Sequence, residues 1–274
     1  QKQTQDQILN LIKKYIDKTN IKKVCVTGGY GLNVVTNQYL IKNLPDVEFY
    51  FEPIADDSSI SLGAAIYAHK NEVGNIPEIP KHTFFNHIKY DVRGLGSKRL
   101  SERDVARMIA EGKIVAVFNG QAEVGPRALG NRSILFDARN PDAKRIVNTV
   151  KRREWYRPFA CSVLKEDAKE YFEMYHLDES PNMTVSFPVK TDSIPGVTHV
   201  DNTCRIQTVD NSIPHFYKII KEFKKITGTS VVLNTSFNLA GEPLVESPDD
   251  AIDVFNRSDI DVLWFAETGK AIMR

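Results

Sequence analysis

Cysteine is scarce in this sequence: Cys25, Cys161 and Cys204 are the only three, and they stand far apart. An odd number without the short spacings of a zinc site or a disulfide framework excludes both scaffolds and points to a reducing, cytoplasmic setting. Long apolar runs are missing as well, since none approaches the ~18 residues that span a bilayer. Surplus charge is also lacking, with 36 Lys and Arg against 35 Asp and Glu. This balance argues against nucleic-acid and membrane partners, so any anion chemistry has to come from arginines gathered locally. The opening Gln1-Lys2-Gln3-Thr4-Gln5 is polar and has no initiator Met, which reads as a chain that begins partway through a longer protein. What is present is the composition of a folded domain or two: 274 residues, 42% hydrophobic and 26% charged.

The periodicity predicts an α/β protein, α+β in places. Ile8, Leu9, Leu11, Ile12, Tyr15 and Ile16 recur at helical spacing between Thr4 and Asn20, and Lys23–Thr27 reads as a buried strand. That strand ends in Gly28-Gly29, followed by a helix over Leu32–Leu40, a strand over Val47–Phe51 and a small-residue helix over Ile60–His69. Gly74, Pro77, Pro80, Gly94 and Gly96 then break the pattern, placing a linker over 76–95 between domains at 1–75 and 96–274. Beyond it, helices are expected over Ser101–Glu111, Asp142–Val150, Pro214–Ile226 and Pro248–Phe255. Strands are expected over Ile114–Phe118, Thr184–Pro188, Arg205–Thr208, Ser230–Leu233 and Asp261–Phe265.

The residues able to do chemistry cluster in the second region. Arg127, Arg132, Arg139, Lys151, Arg152, Arg153 and Arg157 crowd the stretch 127–157. Guanidinium forks grip phosphate and carboxylate bidentately, although a solvated basic face has the same composition. Helix breakers around Arg127 and Arg132, in the run from Gly125 to Ser133, favour a shaped loop from which both project. Asn234-Thr235-Ser236-Phe237-Asn238 follows an expected strand, where α/β sheets bind ligands and where an ordinary Asx turn also fits. His199, Asp201 and Arg205 put a proton carrier, a carboxylate and a guanidinium within seven residues. In the first region, Gly28-Gly29 leaves backbone N–H groups open to a phosphate, without the spacing of a P-loop or dinucleotide fingerprint. Asp56 and Asp57 offer a metal-ligating carboxylate or simply a helix cap.

Together these runs resemble the carbamoyltransferase family that includes the nodulation-factor, cephamycin and tobramycin enzymes. The resemblance is carried by Gly28-Gly29 with Leu32-Asn33 and Asn37, Asp57 with Leu62 to Ala65, and Gly125 to Ser133. It continues through Lys151-x-Arg153-Glu154-x-x-Arg157-Pro158-Phe159-Ala160, His199-Val200-Asp201 with Arg205 and Gln207, and Asn234 to Asn238 with Gly241-Glu242-Pro243. The resemblance implies the C-terminal portion of an actin-like (ASKHA) domain over 1–75, followed by a twisted-sheet YrdC-like α/β domain over 96–274. It further implies an ATP-dependent O-carbamoyltransferase: carbamoyl phosphate and ATP, with Mg²⁺, give carbamoyl adenylate, whose carbamoyl group passes to a hydroxyl of a small-molecule or sugar acceptor.

By the same resemblance, Lys151, Arg157, Arg205 and Ser236 hold carbamoyl phosphate. Arg127, Arg132, Asn234 and Asn238 serve nucleotide phosphates, while Gly28, Gly29 and Asn33 match a nucleotide-binding stretch. Asp57 matches an aspartate ligand of an iron-type divalent metal. The family's His-x-x-x-His ligand pair is missing, and His82 and His87, five apart, do not replace it. The expected partner is therefore the N-terminal half of the actin-like domain, without which transfer is incomplete. Asp56-Asp57-Ser58-Ser59 departs from the family's Asp-Gly-Gly, and Cys161 stands where proline is usual. An RNA-binding YrdC-like module, or a regulatory fragment without turnover, is the alternative.

Overall fold

The computed structural model describes residues 1–78, 82–85 and 88–274. The expected linker 76–95 thus runs partly through residues 79–81 and 86–87, which lie outside the described residues, as His87 does. The first region is α1 (Lys2–Thr19), β1 (Lys23–Val26), α2 (Val34–Asn43), β2 (Glu48–Phe51) and α3 (Ile60–Val73). β1 and β2 pair in parallel, Lys23 opposite Glu48. A short 3₁₀ turn over Gly29–Leu32 occupies the start of the expected second helix, and Asn33 then caps α2 by accepting from Thr36 N–H at 3.1 Å. α3 has the apolar sequence expected of a packed helix, yet none of its residues is buried; Ile60, Tyr67 and Val73 are 60–69% exposed.

The second region continues as β3 (Lys98–Arg99), α4 (Glu102–Ala110), β4 (Val115–Phe118), β5 (Arg132–Asp137), α5 (Ala143–Val150), β6 (Ala160–Leu164), α6 (Ala168–Tyr171), β7 (Ser186–Pro188) and β8 (Thr203–Val209). It closes with α7 (Pro214–Thr227), β9 (Val231–Ser236), α8 (Pro248–Arg257), β10 (Val262–Phe265) and β11 (Lys270–Met273). The strands form one mixed sheet in the order β3-β11-β10-β4-β5-β9-β6-β8-β7. Only the β10–β4 and β6–β8 pairs are parallel; β9 runs antiparallel to both of its neighbours. The α/β class read from the periodicity is the class the structure has.

Strand alternation sends Val115 and Val117 to one face of the sheet and Ala116 and Phe118 to the other. The first face is covered by α4, started by a Ser101–Asp104 capping box, and by α7, whose Phe216, Ile219, Ile220 and Phe223 are fully buried. Against the other face pack α5, α8 and residues of the first region, Leu9, Leu40, Ile41 and Phe51, in one continuous core. Polar ties cross the same junction. Asn37 Nδ2 donates to the Thr184 carbonyl at 2.7 Å, and Ser186 Oγ donates to Gln38 Oε1 at 2.9 Å. Among the described residues, no helix is long and apolar enough to cross a membrane.

Three differences from the sequence reading matter for function. Arg132 and Ser133, expected in a loop, open the buried strand β5. β6 was not foreseen at all. β9 runs through Asn234, Thr235 and Ser236 rather than stopping at Leu233, because β5 and β6 on its two sides extend the ladder.

Candidate functional site: an arginine-lined anion cleft

β5, β6 and β8 begin, and β9 ends, at one end of the sheet. A cleft of about 460 Å³ opens there, walled by Arg127, Arg153, Arg157, Arg205, Thr235 and Ser236, with no carboxylate among its lining residues. That volume lies within the ~300–1,000 Å³ typical of small-molecule sites. The four arginines arrive on three pieces of chain: Arg127 on the 123–131 loop, Arg153 and Arg157 after α5, and Arg205 on β8.

The guanidinium groups are held close together at an electrostatic cost. Burial, then the neighbouring Arg127, pushes the Arg205 pKa down to about 9, and its buried Nε has no hydrogen-bond partner among the described residues. Burial, then Arg157, lowers Arg153 to about 10; its guanidinium lies 4.2 Å from the centroid of the Phe159 ring. Arg127 is lowered by burial and partly restored by Asp56 from the first region. Arg157 alone is neutralised locally, donating to Glu154 Oε2 at 2.7 Å on an exposed surface. Crowded cations with an unused buried donor are suited to take up an anion as counter-charge.

Lys151 lies one layer behind the cleft. Its side chain is buried, and Nζ donates to the Ser236 carbonyl, to the Asn238 carbonyl at 3.0 Å and to Asn238 Oδ1 at 2.8 Å. Burial, with Arg153 adding to it, pushes the Lys151 pKa down to about 7. Asn238 Oδ1 also accepts from Ser236 Oγ at 2.7 Å, so Lys151, Ser236 and Asn238 form one unit that sets the end of β9. Asn234 sits in a buried network, its Nδ2 donating to Ser162 Oγ at 2.9 Å and to the Ala128 carbonyl at 3.2 Å.

Arg132, expected to reach a nucleotide phosphate, is not in the cleft. Its side chain is fully buried, and its guanidinium donates to the carbonyls of Asn119, Gly120, Asn131 and Glu246. The run around it does hold a carboxyl group, but one supplied by the protein. The buried Glu123 carboxylate accepts from the backbone N–H groups of Leu129 at 2.7 Å, Asn131 at 2.9 Å and Arg132 at 3.3 Å. The sequence alone does not single out Glu123, and shows Arg153 and Thr235 only as parts of longer runs. The signal for Glu123 was an acid between apolar Ala122 and Val124, just ahead of a glycine turn.

The remaining candidates lie elsewhere. None of Gly28, Gly29, Asn33 and Asp57 lines the cleft. Gly28, at φ 75°, and Gly29 have open space around them, while the Asn33 side chain caps α2 and pairs with Gln1. Asp57 is exposed, and the capping beside it is done by Asp56, which accepts from Ser58 N–H at 3.1 Å. His199 Nε2 lies 2.9 Å from the Phe159 carbonyl and so braces the segment carrying Arg157. Among the described residues no three His, Cys, Asp or Glu side chains gather into a metal site, and a lone Asp57 does not fit an iron-type ion.

Fold and cleft together define a mixed-sheet α/β protein with an arginine-lined cleft at one end of its sheet. Residues 106–270 match the family model described as "Carbamoyltransferase C-terminus", and residues 1–66 match "Carbamoyltransferase N-terminus". The chain belongs to the carbamoyltransferase family. It is 37% identical over 281 residues to nodulation protein NolNO of Sinorhizobium fredii, covering 93% of this chain and 41% of that protein. It is 34% identical over 291 residues to uncharacterized protein MJ1058 of Methanocaldococcus jannaschii, covering 96% of this chain and 47% of that one. The chain thus spans about half the length of these curated relatives. Among solved structures, full-length HypF in its phosphate- and nucleotide-bound form matches 62% of this chain and 23% of its own, with 20% identity and a TM-score of 0.43.

Proposed function

We propose that the arginine cleft binds carbamoyl phosphate together with the phosphates of ATP and supports formation of carbamoyl adenylate. In this reading residues 96–274 form the YrdC-like unit that activates the carbamoyl group. Residues 1–75 are the last part of the actin-like unit that passes it to an acceptor hydroxyl. Water hydrolyses carbamoyl phosphate to carbamate and inorganic phosphate. A carbamate oxygen then forms a bond to the α-phosphorus of ATP as pyrophosphate leaves. Arg127, Arg153, Arg157 and Arg205 stabilise the charge that accumulates on the phosphoryl oxygens, while Ser236, held by Lys151 and Asn238, lines the cleft beside them. Mg²⁺ enters with ATP and offsets further charge. No side-chain nucleophile is needed.

The observation that carries the reading is Arg205: a desolvated guanidinium with an unpartnered Nε, beside three more arginines and no lining carboxylate. Transfer to the acceptor belongs to the longer protein. The uncovered α3 supports this, because an isolated helix of its length is marginal in water without a packed face. The experiment supplies the chain with carbamoyl phosphate, ATP and Mg²⁺ and follows phosphate and pyrophosphate. Release of both, lost in Arg205→Ala, is the expected result. No release, combined with no calorimetric binding of carbamoyl phosphate, defeats the reading.

A further inference from the structure

We propose that Glu123 is a positioning residue of the anion cleft, fixing Arg127 through the backbone; this rests on the cleft being the carbamoyl phosphate site. The 128–132 backbone is clamped from two sides. On one side a single carboxylate oxygen, Glu123 Oε1, collects the N–H groups of Leu129, Asn131 and Arg132. On the other, three consecutive carbonyls are met by three separate elements. Asn234 Nδ2 on β9 reaches the Ala128 carbonyl at 3.2 Å, Gln207 Nε2 on β8 reaches Leu129 at 2.7 Å, and His215 Nε2 on α7 reaches Gly130 at 3.0 Å.

Convergent N–H groups in a glycine-rich turn normally make a nest for a bound phosphate or carboxylate. Here Glu123 fills it, so the loop is ordered about an internal anion before any ligand arrives. The carboxylate is 6% exposed. Arg132, whose charge acts on Glu123, commits its guanidinium to four carbonyls rather than to that carboxyl. Burial pushes the Glu123 pKa up, while the N–H groups of Leu129 and Asn131, ahead of Arg132, act to hold it down; hydrogen bonds to the ionised form are roughly twice as strong as neutral ones. Arg127 leaves the chain one residue before this clamp and enters the cleft. Losing the charge loosens the base from which its guanidinium is aimed, without touching a residue that meets the ligand.

The test is a double-mutant cycle in the whole chain, read by calorimetry with carbamoyl phosphate. Glu123→Gln keeps the shape and removes the charge. We expect it to weaken binding about tenfold in the parent and hardly at all in an Arg127→Ala background, because the Glu123 effect passes through Arg127. Equal losses in both backgrounds, or none in either, overturn the proposal. If the parent itself fails to bind carbamoyl phosphate, the reading of the cleft falls, and this role falls with it. Should Glu123→Gln not fold, amide hydrogen exchange in the ligand-free parent decides. Protection of the Leu129 and Asn131 N–H groups is expected; exchange as fast as in an exposed loop counts against the clamp.

Discussion

The guanidinium carbon of Arg132 lies 3.5 Å from the centroid of the Phe118 ring, and around that stack four backbone carbonyls accept its hydrogen bonds. Those carbonyls belong to the turn after β4, the residue before Arg132 itself, and Glu246 just ahead of α8. Arg132 is thus an internal tie between three segments, which explains why an arginine is tolerated at the start of a fully buried strand.

Arg132→Ala should therefore act on stability. Leaving several buried carbonyls unmet and a void beside Phe118 predicts a loss of about 3 kcal/mol or more in urea unfolding. At a temperature where the variant remains folded, its affinity for carbamoyl phosphate should stay within about threefold of the parent. A loss matching that of Arg205→Ala would mean that Arg132 reaches the ligand after all.

The cleft should bind anions more weakly as pH rises above neutrality. In the free protein, burial and Arg153 hold the Lys151 pKa down at about 7. A bound dianion supplies the missing counter-charge and raises that pKa again. Binding above pH 7 then takes up a proton, so affinity falls with rising pH, while below 7 the lysine is already charged and its contribution is constant. Calorimetry at pH 8 in two buffers of different ionisation enthalpy measures the uptake directly. Lys151→Met should abolish it, and uptake that persists in this variant would assign the proton elsewhere.

Gly130 is predicted to accept no side chain. It sits at φ 127°, and an added Cβ would stand 2.6 Å from Cδ1 of the buried Phe216 ring. Gly130→Ala combines backbone strain with a clash against α7, worth about 2–4 kcal/mol together. Thermal unfolding should show a clear drop in midpoint; a variant melting with the parent would require the loop to sit away from α7.

Much of this arrangement could be read from the sequence where a local rule was sufficient. The helix expected over Ser101–Glu111 is α4, Pro214 opened α7 as expected, and the crowded stretch 127–157 supplies three of the four arginines that line the cleft. The misreadings share one cause: pairing partners distant in sequence. Asn234, Thr235 and Ser236 are poor strand formers taken alone, but β5 and β6 flank them on both sides and keep them extended. Arg132 looked like a loop cation because Gly130 and Asn131 precede it, whereas the carbonyls that solvate it include one 114 residues away. Which arginines face the cleft and which serve the core depends on such long-range contacts, and composition carries none of that information.

The Glu123 clamp also bears on how fast the cleft fills. A loop shaped by its own carboxylate has nothing to rearrange when a substrate approaches, so encounter rather than closure limits the rate. On the proposed function, the clustered guanidinium groups are expected to act on an incoming dianion from a distance comparable to the Debye length, ~8 Å at physiological ionic strength. Capture then follows the ionic strength of the medium: dilute salt speeds arrival, concentrated salt slows it, and the rate of departure is much less affected.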